Sequence, residues 1–226
     1  MPLSDNFMWF PDADSDVYPQ GETTDGWFEK RGAFEFSTLK FNLTEDPDLK
    51  SDRESQARSV SRFAAMRTAL INARNKPADL ASTIEADSDA GRANFNDLTI
   101  NKFVDLASAM LYKACSKGIM FPSAMLALRK SGGVSGLLYI QYILRAVRVK
   151  NIKWSGGGNA HAKEEVSFGF EAIGFQYIQQ TAQGRASRIE PRRSSWCWNM
   201  MTGCESLILK NVSKPPPKFL AGEESD

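Results

Sequence analysis

The chain is poor in the residues that carry most enzyme chemistry. It has one histidine, His161, and three cysteines, Cys115, Cys197 and Cys204, in 226 residues. An odd, widely spaced cysteine count does not make a disulfide framework. Four clustered Cys or His ligands for structural zinc are also missing. Charge of one sign is lacking too: 28 Lys and Arg stand against 27 Asp and Glu. A dedicated nucleic-acid binder would show a basic excess. No apolar run approaches the roughly 20 residues of a membrane-spanning helix. The start, Met1-Pro2-Leu3-Ser4-Asp5, has no basic region followed by an apolar stretch, so no signal peptide is expected. What remains is ordinary for a globular protein, 42% hydrophobic and 24% charged.

Candidate chemistry is correspondingly thin. Gly156-Gly157-Gly158 lacks the Gly-Lys-Ser/Thr ending of a phosphate loop and reads as a turn. His161 follows it with no nucleophile motif nearby. Glu164-Glu165 and Asp87 with Asp89 are paired carboxylates, but they read as a solvated strand end and a loop rather than as an acid–base pair. The arginines at 185, 188, 192 and 193 are diluted by Glu190 and by the acidic C-terminus. Catalytic, cofactor-binding and metal-ligating residues are therefore assigned as none.

The pattern that is present is mostly β. Residues 33–43 alternate with a phase shift near Ser37-Thr38, the signature of a bulge. Residues 95–103 form a strand with Leu98 and Ile100 on one face, and 123–130 another. Residues 131–136 make a glycine-rich hairpin turn. The strand at 137–154 is apolar on both faces, so both are covered. Residues 165–179 return with Val166, Phe168 and Phe170 in one phase and Ile173, Phe175 and Tyr177 in the other. One amphipathic helix interrupts the strands. Asp105 caps it; Leu106, Ala107, Met110, Leu111 and Ala114 make its apolar stripe; Gly118 supplies a left-handed stop and Pro122 bars extension. The N-terminal aromatics Phe7, Trp9 and Phe10 read as irregular, and Trp27-Phe28 as the opening of a β-rich piece.

Residues 45–91 break the pattern. They are polar, with a modest helical stripe at 54–74 that includes Val60 and Phe63, and they read as a helix-bearing insertion. The organisation expected is thus 1–44, an N-terminal segment and first strands; 45–91, the insertion; 92–180, the main strands and helix; and 181–226, a C-terminal extension. The extension includes Lys214-Pro215-Pro216-Pro217-Lys218, an extended tail, and a partly disordered end.

One ordered set of residues resembles a known family. It runs from a strand into Lys102-Phe103-Val104-Asp105, through a helix ending Ala114-Cys115-Ser116-Lys117-Gly118, and past Phe121-Pro122. It continues through Arg129-Lys130-Ser131-Gly132-Gly133, a long strand and a glycine-rich turn to Glu165-Val166-Ser167-Phe168-Gly169-Phe170 and Trp198-Asn199. This order is similar to that of the Hcp family, the tube proteins of bacterial type VI secretion. The likeness covers about 95–199, with a weaker echo at 33–43. It implies a mainly β fold, a barrel of two packed antiparallel sheets with one helix on the side. It implies hexameric rings stacked into a hollow tube that is propelled into target cells and carries effectors in its lumen, with sheath and spike proteins as partners. No cofactor, nucleic acid or membrane insertion is implied. The location implied is the bacterial cytoplasm, then release without a signal peptide. The insertion and the longer tail depart from the family. A tail-tube subunit of a related contractile injection particle, and a cytoplasmic effector-binding chaperone on the same fold, remain alternatives; an enzyme does not fit a tail too short for its own core.

The last strand carries more aromatics than one small barrel holds, so some belong to a subunit seam. The seam candidates are Leu137, Tyr139, Phe168, Phe170, Phe175 and Tyr177, with Val60 and Phe63 on the insertion helix. Deleting 44–91 is expected to leave a folded barrel that assembles poorly. Normal assembly of that deletion, followed by electron microscopy, would show that the insertion is not an interface element.

Overall fold

Why a mostly alternating sequence folds as it does is visible in a computed structural model, which describes residues 6–45, 93–130, 137–156, 161–179 and 193–220. The chain divides into two units, Met1–Asn42 with Asn96–Asp226, and Leu43–Phe95. The insertion helix with Val60 and Phe63, and the turn at 131–136, lie outside the described residues. The second unit begins and ends with two short strands, Leu43–Glu45 (β4) and Ala93–Phe95 (β5), paired antiparallel with Leu43 opposite Phe95.

In the first unit the strands are β1 (Asn6–Trp9), β2 (Phe34–Glu35), β3 (Thr38–Lys40), β6 (Leu98–Phe103), β7 (Met120–Lys130), β8 (Leu137–Ser155), β9 (Lys163–Gly169), β10 (Ala172–Ile178) and β11 (Arg193–Asn199). Among the described residues these nine form one antiparallel sheet in the order β2-β1-β7-β8-β9-β6-β3, with β10 pairing β8 and carrying β11. The expected pair of separate sheets is therefore one branched sheet, and its two ends do not ladder together. The reason lies in residues 34–40. Phe34 and Glu35 pair with β1, whereas Thr38 to Lys40 pair with β6. The Phe36 amide donates to the Asn6 carbonyl and the Ser37 amide to the Asn101 carbonyl. One short piece of chain serves both edges of the sheet, and the phase shift read near Ser37-Thr38 is where it crosses.

The second phase shift marks the branch. β9 and β10 pair with the same edge of β8 and are separated by Phe170 and Glu171. Opposite this break sits Ala146, at φ 50°, a left-handed conformation that is uncommon for any residue but glycine, asparagine or aspartate. The Glu171 amide donates to the Arg145 carbonyl and holds the corner. Strands that bend in this way carry a sheet around a corner. Beyond it, β6 covers the free edge of β9 and β11 that of β10.

Two elements depart from the sequence reading. Phe7, Met8, Trp9 and Phe10 are all buried, and the first three lie in β1, between β2 and β7, rather than in irregular chain. Alternation is missing because both faces of β1 are covered. Trp27-Phe28 lies in a one-turn helix, Gly26–Glu29 (α1), with the Asp25 carboxylate accepting from the Phe28 amide.

Helix α2 (Leu106–Lys117) packs on β8 through buried Ala107, Leu111 and Ala114, while Leu106 is exposed. Asp105 accepts from the Ala107 amide at 3.0 Å, Ser108 Oγ accepts from the Asp105 amide, and Gly118 closes the helix at φ 62°. The same capping residues join a buried ion pair. Lys102 Nζ lies 2.8 Å from Glu164 Oε1 and 2.7 Å from Asp105 Oδ1, and Ser108 Oγ donates to Glu164 at 2.8 Å. Glu164 is thus fully buried, not the solvated strand end expected from the sequence; β6 and β9 place it directly opposite Lys102.

Removing one member of a buried pair leaves an uncompensated charge and costs roughly 3–5 kcal/mol. Lys102→Met and Glu164→Leu are each expected to destabilise the fold by about that much, and the double variant by clearly less, in urea unfolding. A single variant as stable as the parent would refute the linkage. Burial raises the pKa of Asp105, against the charge of Lys102 and the hydrogen bonds from Lys102 and Ala107 that lower it. The folded chain therefore holds this proton more firmly than the unfolded chain. That contribution is complete below the ordinary value of about 4 and is lost as pH rises through the raised value. Asp105→Asn, which keeps a capping oxygen, is expected to flatten stability against pH in that window.

Candidate assembly face

Antiparallel register decides which side chains share a face. Tyr142 on β8 stands opposite Phe175 on β10, which stands opposite Trp196 on β11; one step along, Ile140, Tyr177 and Ser194 align. On the other edge of β8, Leu126 and Leu128 of β7 join the same rows. Near the core of the first unit this face is closed, with Leu126 and Leu144 fully buried. Further out it opens. Tyr142, Phe175, Trp196 and Ile140 are half-buried, and Tyr177 is 41% exposed. The Tyr142 and Phe175 rings lie 5.2 Å apart, tilted against one another. Burial, and then Tyr139, push the Tyr142 phenol above its ordinary pKa. The result is an aromatic stripe across three strands, apolar enough to favour burial and uncovered at its outer end.

The opposite face of the same strands is covered from within the chain. After β11 the chain turns at Asn199–Cys204, where Asn199 accepts from the Met201 and Thr202 amides. It then returns across the sheet. Leu209 and Val212 pack on Ala146 and Ala172, and Leu207, Phe219 and Leu220 on a cluster that includes Trp9, Met125 and Ile143. The segment read as a polar extension thus supplies an edge strand and a cover through Leu220. This explains why β7 and β8 are apolar on both faces.

A third surface, on β3, β6, β9 and β8, is polar. Asn101 Nδ2 donates to Thr38 Oγ1 at 2.6 Å, Thr99 and Ser167 hydroxyls lie 2.9 Å apart, and Lys153 bonds Glu165 at 3.0 Å. The Lys153 hydrogen bond and charge hold the Glu165 carboxyl below its ordinary pKa.

The seam candidates divide accordingly. Phe175 and Tyr177 lie on the stripe. Tyr139 is half-buried on β8, and the side chain of Leu137 lies outside the described residues. Phe168 does not belong to a surface at all: it is fully buried, with its ring centroid 6.2 Å from that of Phe10. Phe170 is half-buried at the corner, against Phe41. Ile140 and Tyr142 lie in the strand that is apolar on both faces, and Trp196 joins them on the stripe only through pairing across strands distant in sequence. His161 is exposed, against Phe103. Among the described residues no three His, Cys, Asp or Glu side chains are grouped to hold a metal, and no helix is long and apolar enough to cross a membrane.

Comparison with known proteins adds the family. Residues 70–177 match the family described as "Type VI secretion system effector, Hcp". Protein hcp1 of Pseudomonas aeruginosa is 34% identical over 94 residues, which span 41% of this chain and 58% of the relative. Over these residues the chain is similar to Hcp proteins. The match thus spans less than two thirds of that curated relative. Among solved structures, a type six secretion system protein is 18% identical with a TM-score of 0.61, covering 90% of this chain and all of the other. Hcp1 from Salmonella typhimurium is 17% identical with a TM-score of 0.56, covering 89% of this chain and 98% of the other. A type VI secretion system effector from Yersinia pestis is 14% identical with a TM-score of 0.53, covering 86% and 99%. At these identities the structures establish a shared mainly β, antiparallel fold.

Proposed function

We propose that this Hcp-like chain is a structural subunit of the inner tube of a type VI secretion system. Subunits join into hexameric rings, and rings stack into a hollow tube that is driven into a target cell. The observation that carries this reading is the stripe of Tyr142, Phe175, Tyr177 and Trp196. It sits on a sheet whose other face the chain itself covers, so a neighbouring subunit is the natural cover for what is left. A heterologous contact that closes gives a ring, and repetition along the axis gives a tube. In this reading residues 34–40 close the sheet as a barrel, because they bond both of its edges. The polar surface around Asn101, Glu165 and Lys153 would face the water-filled lumen, where effectors travel. Residues 45–91 are an insertion that adds ring or stack contacts. Sheath and spike proteins surround and tip the tube, and the subunit leaves the bacterial cytoplasm as part of it. The chain contributes geometry, not catalysis.

Sedimentation and negative-stain microscopy at high concentration test this. Rings are expected for the parent chain. Tyr177→Asp and Phe175→Ser are expected to weaken ring formation by about 30-fold or more, taking roughly 2 kcal/mol for an interface anchor, with little change in urea midpoint for the exposed Tyr177. A strictly monomeric parent, or rings indifferent to both substitutions, would reject the reading.

A further inference from the structure

Several polar side chains of the sheet are spent inside the chain. Arg145, buried in β8, donates to the Lys214 and Pro215 carbonyls. Buried Gln141 accepts from the Leu220 amide and donates to the Leu220 carbonyl. Glu164 is shared by Lys102 and Ser108. The polar face of β3, β6, β9 and β8 differs. There the register aligns Thr38, Asn101, Glu165 and Lys153 in one row across four strands. Lys163 stands one step further along β9 on the same face, opposite Ser155.

An open hollow of about 570 Å³ lies over this row, lined by Ser37, Thr38, Asn101, Lys153, Lys163 and Glu165 among others. Its charge is unbalanced. Lys153 lies 3.0 Å from one Glu165 oxygen, and Lys40, alongside, 3.5 Å from the other. Both lysine side chains are about two-thirds exposed. The exposed Lys163 lies over the Phe103 ring, 5.5 Å from its centroid, and among the described residues meets no carboxylate. Three ammonium groups thus surround the one carboxylate on this face, and the excess is positive. The neutral groups add donors. Thr38 Oγ1 accepts from Asn101 Nδ2, so its own hydrogen remains to be donated. A concave surface rich in cations and donors is complementary to an anion.

We propose that this hollow is a binding site for an acidic, extended protein segment with carboxylates two residues apart. Lys153 and Lys163 are diagonal neighbours on paired strands, a separation of roughly 7–8 Å. Alternate residues of an extended chain point the same way about 7 Å apart. Successive carboxylates on one face of such a segment therefore meet successive ammonium groups. That spacing, added to the charge, favours an extended peptide over a compact anion. Glu165 repels the ligand and tempers its affinity, which keeps the contact reversible. The inference stands on the charges of the hollow and does not require the tube reading. Where that reading holds, one such site per subunit faces the lumen, and the occupant is a carried protein.

The test is calorimetric titration of the full chain with the peptide acetyl-Gly-Glu-Ser-Glu-Ser-Glu-Gly-amide, and with the same peptide carrying glutamine for glutamate. Binding of the glutamate peptide alone is expected, weakening as salt rises because screening shortens the reach of surface charge. Lys153→Gln and Lys163→Gln are each expected to weaken it about fivefold, the scale of one exposed ion pair. Glu165→Gln is expected to tighten it by a similar factor. Opposite signs at neighbouring surface positions separate a charge site from a loss of folding, and urea midpoints check each variant. No binding by the parent chain, or equal binding of the glutamine peptide, overturns the site. Displacement of the peptide by inorganic phosphate at lower concentration overturns a protein segment as its occupant. Tighter binding by a chain ending at Leu220, which lacks Glu223, Glu224 and Asp226, would give the site to those residues and overturn an outside partner. Rings that bind no peptide reject the site and leave the tube reading intact, whereas a monomeric chain that binds the peptide does the reverse.

Discussion

Lys102 and Glu164 face each other, buried, from neighbouring strands, and the rest of the domain is arranged around that fact. Neither charge is tolerable alone in such a place. Together they fix the register of β6 against β9, because a one-residue slip would turn both side chains to the other face. The same ammonium reaches Asp105, and the same carboxylate receives the Ser108 hydroxyl. The first turn of α2 is thereby tied to the sheet by the groups that cap it. The helix could not move outward without stranding a charge.

From this anchor the sheet spreads in two directions. Toward β3 and β2 it turns over one short segment that bonds both β1 and β6. Toward β10 and β11 it turns a corner at Ala146 and Phe170-Glu171 and leaves the core behind. Past the corner a two-faced sheet must be covered on both sides or expose apolar surface. The chain covers one side with its own C-terminal segment, through the buried Arg145 and Gln141. The other side keeps its aromatic stripe. One face is finished by the chain itself and the other is not, and this asymmetry, more than any single residue, distinguishes the two surfaces.

Much of this was legible in the sequence, and the failures share a cause. The Asp105 cap, the Gly118 stop and both phase shifts could be read because each depends on residues a few positions apart. Phe175 and Tyr177, seam candidates by alternation, lie half-buried and exposed on the stripe. Phe168, a candidate by the same alternation, is core: period-two alternation tells which residues share a face but not which face is inside. Glu164 reads as a solvated end in sequence because its partner lies 62 residues away. β1 reads as irregular chain in sequence because burial on both faces erases alternation.

By itself, the sequence determined the local and the familial: a helix with its caps, strands with their breaks, a chain with little catalytic chemistry, and a residue order resembling Hcp proteins. Only the tertiary structure decided which faces are buried. Pairing between distant strands puts Lys102 beside Glu164, Tyr142 beside Phe175 and Trp196, and Arg145 beneath Pro215. Those neighbours are set by register and by what packs above each face, and neither is encoded in any short stretch of chain.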